Sequence, residues 1–210
     1  MKKLFLFDFD GVLVDSIGVY EKTVMLCLAK IGKPIIRNRD EFLELFDENF
    51  YEAIVKRGVD LESFTKASAG ILAQVNYDEI KPILPVFPVL AEMKKNCILV
   101  VISSNGSAAI RTTLSRHHFN GFFQEILGSD FKYSKEEKIA YAIDKYGITK
   151  DKTFYIGDTV GDIVEAKGAG VKSIAVTWGW HNRDRLVKAT PDYLVETPNE
   201  LLKVCCETCS

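Results

Sequence analysis

The chain has 210 residues, 47% of them hydrophobic and 27% charged, enough for one domain with a substantial core or for a core plus a small inserted domain. Its formal net charge of -2 leaves no basic excess to neutralise a phosphate backbone, so nucleic acid is not an expected partner. No apolar run approaches the roughly 20 residues that span a bilayer, and Lys2-Lys3 leads straight into a short strand; the expectation is a cytoplasmic protein that does not engage membranes.

The first expected element is a strand at Leu4-Phe5-Leu6-Phe7, an unbroken apolar run of the kind buried on both faces of a parallel sheet. It ends in Asp8-Phe9-Asp10-Gly11. Ligands of open α/β sheets sit beyond the carboxyl ends of the strands, which makes these acids a candidate reaction centre, although Asp-x-Asp-Gly alone serves equally well as a turn. Asp15 or Ser16 is expected to cap the next helix, which runs up to Gly32-Lys33-Pro34. Two further helices are expected over residues 39–57, where Phe42, Leu45, Phe46, Phe50 and Ile54 fall at helical spacing, and over residues 61–75. With no strand expected between residues 17 and 80, the sequence divides into a core of residues 1–15 and 83–210 and an all-helical insert of residues 16–82. Pro82, Pro85 and Pro88 mark the return, and a linker is expected near Lys81-Pro82.

From Val89 onward strands and helices alternate. Helices are expected at 90–95, 108–117, 135–146 and 162–169, with strands at 97–103, 123–127, 153–156, 173–176 and 193–195, and a last helix from Asn199. This order predicts βαβ units and a mostly parallel sheet covered on both faces.

Three later segments bring polar groups to strand ends or helix starts. Ser103-Ser104-Asn105-Gly106-Ser107 opens a helix, where free amides and the helix dipole favour an anion such as phosphate, with plain helix capping as the alternative. Gly157-Asp158-Thr159-Val160-Gly161-Asp162 adds two acids, and carboxylates of this kind suit a hard cation such as magnesium. Ser134-Lys135-Glu136-Glu137-Lys138 opens a helix with a lysine that reaches across the sheet edge or belongs to a solvated face. Cys27 and Cys97 lie in apolar stretches and are expected as buried thiols. Cys206-x-x-Cys209 has metal-ligand spacing but lacks a second ligand pair, so no zinc site is expected. His117 and His118 are expected at the surface, and His181 is read as structural.

Together, Asp-x-Asp-Gly, Ser-Asn, Lys and Gly-Asp-x-x-x-Asp resemble the motifs of the haloacid dehalogenase superfamily. The chain is similar to its phosphoglycolate phosphatase-like branch, which carries a helical cap after the first strand; Thr177-Trp178-Gly179 followed by Asp192-Tyr193 is similar to the closing segment. The resemblance implies a Rossmann-like three-layer α/β core with a cap. It implies Asp8 as nucleophile, Asp10 as general acid and base, and Ser104, the amide of Asn105 and Lys135 as phosphate ligands. It further implies Mg2+ held by Asp8, the Asp10 carbonyl and Asp158, with Asp162 behind them. Lys135 is preferred over Lys138 because it lies 23 residues before Asp158 and opens the helix that closes at Gly147, although the proline that often follows this lysine in the branch is missing. The implied activity is magnesium-dependent hydrolysis of a small phosphorylated metabolite, phosphoglycolate-like or a sugar phosphate, through an aspartyl-phosphate. An acid at Asp10 favours phosphoryl transfer over dehalogenation, because a halide leaving group needs no proton. A phosphosugar mutase and a non-catalytic phosphate-binding protein are the alternatives, and no feature chooses between monomer and dimer. The cap is expected to exclude water and to read the substrate, with Arg37, Arg39, Asn49, Tyr51, Lys56 and Arg57 as candidate contacts.

Overall fold

The computed structural model describes residues 2–72, 75–119, 121–131 and 134–207. Two compact units are present, one of Met1–Asp15 with Pro82–Ser210, the other of Ser16–Lys81. Cys209, part of the expected Cys-x-x-Cys tail, lies outside the described residues.

The first unit is built on a six-stranded sheet whose pairings are all parallel. Its strands are β1 (Lys3–Phe7), β4 (Cys97–Ile102), β5 (Glu125–Leu127), β6 (Thr153–Gly157), β7 (Lys172–Val176) and β8 (Tyr193–Val195), in the spatial order β5-β4-β1-β6-β7-β8. Alternate side chains of a strand face opposite ways, and β1 is buried at every position, so both faces of the sheet are covered. On one face Leu4, Leu6, Val100, Ile102 and Tyr155 meet Ile139 and Ala142 of α7 (Lys135–Tyr146) and Ala166 of α8 (Val160–Ala169). On the other, Phe5 stacks on Phe154 with ring centroids 4.8 Å apart, and Phe7 meets Phe123 edge-on at 5.7 Å.

This strand order positions the site. The sheet grows from β1 in both directions, and Phe7 is in register with Val101 on one side and Ile156 on the other. β1, β4 and β6 therefore end level and release their following loops at one rim, the switch point where α/β sheets bind ligands.

The remaining helices of this unit are α5 (Val86–Met93), α6 (Ser107–Arg116), α9 (Arg183–Lys188) and α10 (Glu200–Glu207). α5 starts earlier than its sequence pattern predicts, with Pro85 at the N-cap and Pro88 in the first turn, where a missing amide removes no helical bond. α9 has a single buried residue, Leu186, and so shows no apolar period in the sequence; Asn182 caps it through the Arg185 amide.

The second unit holds α1 (Ile17–Lys30), α2 (Arg39–Glu44), α3 (Phe50–Lys56) and α4 (Leu61–Leu72). The single helix expected over residues 39–57 is two helices. Asn49 restarts the chain at α3 by accepting from the Tyr51 and Glu52 amides, at 3.0 and 3.4 Å. The apolar spacing ran through the break because Phe42, Phe46, Phe50 and Phe64 join one aromatic cluster, with successive centroids 5.1, 5.4 and 5.7 Å apart. Ser16 occupies the N-cap of α1 but makes no side-chain bond to the first-turn amides, so the expected cap is not formed. Asp15 instead lies in β2 (Val14–Asp15), which pairs with β3 (Lys81–Pro82), the segment expected as a plain linker.

Candidate active site

Asp8 follows β1 directly. Its amide donates to the Ile156 carbonyl at 2.9 Å, which continues the sheet by one bond, and its Oδ1 accepts from the Phe9 amide at 2.8 Å. The chain then turns at Gly11, whose φ of +71° lies in the region that favours glycine and whose amide donates to the Val14 carbonyl at 2.8 Å. A Cβ at Gly11 would lie 2.0 Å from Asp158 Oδ2, so the turn and the packing of that carboxylate both require glycine.

Asp158 and Asp162 come from the loop after β6 and the first turn of α8. Asp158 is buried and its Oδ2 accepts from the Trp180 amide at 2.6 Å. Asp162 is a brace with both oxygens engaged. Its Oδ1 accepts from Lys135 Nζ at 2.6 Å and from the Tyr155 hydroxyl at 3.3 Å. Its Oδ2 accepts from the Asp158 and Thr159 amides and from Thr159 Oγ1, at 3.2, 3.1 and 2.7 Å.

Lys135 is the first residue of α7, which Ser134 and Glu137 start with a capping box. Its Nζ lies 2.6 Å from Asp162, 3.4 Å from Asp8 Oδ2 and 3.6 Å from Glu165 Oε2. Lys138, one turn on, is buried and donates to the Ser103 carbonyl at 2.8 Å. Burial, helped by the nearby Lys135 charge, pulls the Lys138 ammonium down to about 8. Of the two lysines, Lys135 is the one that reaches Asp8.

Asp10 and Asn105 meet across the rim, with Asn105 Nδ2 donating to Asp10 Oδ2 at 2.7 Å. The Asn105 amide donates to Ser103 Oγ at 3.0 Å, and Ser104 is exposed beside it. The Ser107 amide, at the start of α6, donates to Asp130 Oδ1 at 2.7 Å. The structure therefore gathers Asp8, Asp158, Asp162 and Lys135 into one buried cluster, links Asp10 to Asn105, and leaves Ser104 at the surface.

Electrostatics of the cluster follow from its composition. Burial pushes the Asp8 carboxyl well above the usual carboxylate range, against the pull of Lys135 and with the help of Asp162 and Asp10. Asp158 is raised in the same way, by burial first and then by Asp162 and Asp8. For Asp162 burial acts upward too, but Lys135 and the Thr159 bonds outweigh it and hold the group below its ordinary value. Burial is likewise outweighed at Lys135, which Asp162 and Asp8 keep firmly protonated. The Lys135 ammonium thus pairs with Asp8, Asp162 and Glu165, while one oxygen each of Asp8, Asp158 and Asp162 lies within 4.8 Å of the others. With Asp162 saturated by protein donors, Asp8 and Asp158 carry the surplus charge, and an all-oxygen pair of this kind fits a hard divalent cation.

Sequence reasoning singled out Thr177-Trp178-Gly179 as similar to the closing segment but missed that this stretch and the two residues after it hold Asp158 from behind. Besides the Trp180 amide, the His181 amide donates to the Asp158 carbonyl at 3.2 Å, and buried His181 Nδ1 accepts from the Val160 amide at 3.0 Å. Trp178 Nε1 donates to the Val12 carbonyl at 3.3 Å, and a Cβ at Gly179 would lie 2.2 Å from the Asp158 side chain. His181 thus bonds the backbone on both sides of Thr159, through the Asp158 carbonyl and the Val160 amide, groups that no residue pattern could announce.

In the helical unit, Arg37 pairs with Glu41, Arg39 with Glu21, Lys56 with Glu48 and Arg57 with Glu44, while Asn49 caps α3. Among the described residues no helix is long and apolar enough to cross a membrane.

The sequence model of the haloacid dehalogenase-like hydrolases matches residues 5–176. A phosphoglycolate phosphatase of Synechococcus elongatus is 28% identical over 203 residues, covering 94% of this chain and 94% of that one. A probable phosphatase of Dickeya dadantii is 29% identical over 214 residues, covering 96% of this chain and 93% of its own. Among solved structures, a protein of Clostridium acetobutylicum described as a predicted phosphatase superposes with a TM-score of 0.85 at 26% identity, over 99% of both chains. A family matched across both the Asp8 and Asp158 loops, together with full-length likeness in sequence and fold, places this chain in the haloacid dehalogenase-like hydrolase family, as an enzyme of its phosphoglycolate phosphatase-like branch.

Proposed function

We propose that this hydrolase of phosphoric monoesters acts on a small phosphorylated metabolite of the cytoplasm, phosphoglycolate-like or a sugar phosphate, through an aspartyl-phosphate on Asp8 with Mg2+ as its cation. The observation that carries the reading is the buried pair Asp8 and Asp158, with Lys135 Nζ 3.4 Å from Asp8. The phosphoglycolate phosphatases among the relatives support the substrate class.

A phosphate ester dianion repels an incoming carboxylate, so charge must be neutralised before attack. When bound by Asp8, the Asp10 carbonyl and Asp158, Mg2+ would supply that neutralisation and hold a phosphate oxygen. Lys135, the Ser104 hydroxyl and the Asn105 backbone amide, which exchanges its bond to Ser103 Oγ for one to phosphate, bind the remaining phosphate oxygens. Asp8 attacks phosphorus and the ester P–O bond breaks, while Asp10 gives its proton to the leaving alkoxide. Asp10, now a carboxylate, takes a proton from the water that attacks the phosphoaspartate, which restores Asp8 and frees inorganic phosphate. The Asn105 side-chain Nδ2, which donates to Asp10 Oδ2 at 2.7 Å, holds that carboxyl in line for both transfers. Asp162, saturated by protein donors, orients Lys135 and the Asp158 loop. Residues 16–82 act as the cap that excludes water and reads the organic part of the substrate.

A phosphate-ester panel with Mg2+ tests this reading. Wild type is expected to release inorganic phosphate from a small ester, hexose phosphates included, and Asp8→Asn to lose at least about 10³-fold in kcat. Turnover that survives Asp8→Asn, or isomerisation of a hexose phosphate without phosphate release, overturns it.

A further inference from the structure

We propose that Cys97 and Cys205 form a reversible disulfide, made by exchange with a low-molecular-weight disulfide of the glutathione class, that staples the C-terminal helix to the sheet. Cys97 opens β4 and is buried; Cys205 lies in the last turns of α10 and is half-buried. Their Sγ atoms are 3.1 Å apart, across 108 positions of sequence. Bonded sulfurs sit about 2.0 Å apart, so closure needs an approach of only about 1 Å.

The placement follows from packing. Leu201 and Val204 are buried, and Leu201, Val204 and Cys205, at i, i+3 and i+4, share one face of α10, so burying that face carries Cys205 to the sheet. Lys3, in register with Cys97 on β1 and itself buried, donates its ammonium to the Cys205 carbonyl, which ties down the helix end. The same surroundings favour the thiolate. The hydrogen bond from Cys97 lowers the Cys205 thiol to about 7, against burial and with help from the Lys3 charge.

The half-exposed Cys205 thiolate attacks one sulfur of the small disulfide; that S–S bond breaks and one small thiolate leaves. Cys97, its proton lost to solvent, then attacks Cys205 Sγ and expels the second small thiolate. Two protein thiols are oxidised and one small disulfide is reduced to two thiols. The bond lies at the opposite end of β4 from Ser103–Asn105, so it acts on stability and leaves the rim untouched.

The test uses the full chain with its five cysteines. Protein incubated with glutathione disulfide is alkylated, and its peptides are mapped without reduction. The expected result is a Cys97–Cys205 linked peptide, two fewer thiols titratable in denaturant, and a Tm higher by about 5 °C that dithiothreitol reverses. Cys206→Ser with Cys209→Ser keeps all three effects, turnover stays within about twofold, and Cys97→Ser stops at a glutathione adduct on Cys205 with no rise in Tm. Should Cys97→Ser fail to fold, Cys205→Ser serves for the Tm comparison. The proposal is overturned if no Cys97–Cys205 peptide forms at any ratio of glutathione disulfide to glutathione, if Cys205 pairs with Cys206 or Cys209 instead, or if the rise in Tm persists in either variant.

Discussion

The candidate site turns on a carboxylate enclosed by things that are not side chains. Asp158 sits against Gly11 and Gly179 and takes its hydrogen bond from the Trp180 amide. Gly179→Ala should therefore displace it, because the added Cβ would stand 2.2 Å from the Asp158 side chain. The expected outcome is divalent-cation binding weakened about 10- to 100-fold with the fold retained, a loss typical of disturbed support behind a metal ligand. Calorimetric titration of the metal against the variant checks it, and affinity equal to wild type would count against the enclosure as a determinant. Asp8, Asp10, Asp158 and Asp162 were visible as candidates because acids at strand ends are conspicuous; Trp180 and His181 were not, since their work is done through backbone groups.

At the scale of elements, β7 and β8 are tied by Asp192. Its carboxylate accepts from the Ser173 amide and hydroxyl, both at 2.9 Å, and pairs with Lys172 at 3.0 Å. These bonds outweigh the opposing effect of burial and hold its pKa below the ordinary value. A carboxyl lowered on folding contributes stability that is present above its unfolded pKa, near 3.9, and that disappears as pH falls through its folded value. Asp192→Asn should cost about 1 kcal/mol at neutral pH and progressively less below pH about 4. Denaturant melts across pH 2 to 7 read this directly, and a penalty independent of pH would show that the charge is irrelevant. Long periodic elements such as α7 were legible from sequence, whereas α9, with one buried residue, and the division between α2 and α3 were not. At α3 the Asn49 cap outvoted an apolar pattern that ran through the break, and at α9 the Asn182 cap starts a helix that has no apolar pattern to announce it.

On the scale of the whole molecule, an acidic cluster that suits a cation burdens the fold without one. Asp8 and Asp158 are both raised in pKa, by burial first and then by the Asp162 charge, with Asp10 adding to it at Asp8 and Asp8 adding to it at Asp158. In a chelator, Asp158→Asn should melt higher than wild type, by roughly 1–2 kcal/mol, since one repulsive charge is gone. In Mg2+ the order should reverse: wild type gains about 2.7 kcal/mol at a hundredfold excess over Kd, and the variant gains little. Thermal melts with and without the ion measure both, and a wild type indifferent to Mg2+ would remove the cation from the site. The sequence by itself determined the α/β class, the helical insert and the identity of the acids, because apolar period and strand-end chemistry are local properties. The preference for Lys135 over Lys138 came from the resemblance, but only the tertiary structure decided that Lys138 turns to the Ser103 carbonyl, that Asp162 is saturated, that Asn105 meets Asp10 and that Cys97 meets Cys205. Apart from the local bonds of Asp162 to Tyr155, Asp158 and Thr159, these contacts join residues far apart in the chain, and the parallel register of β1, β4 and β6 with the packing of helices on the sheet sets their distances, which no local pattern encodes.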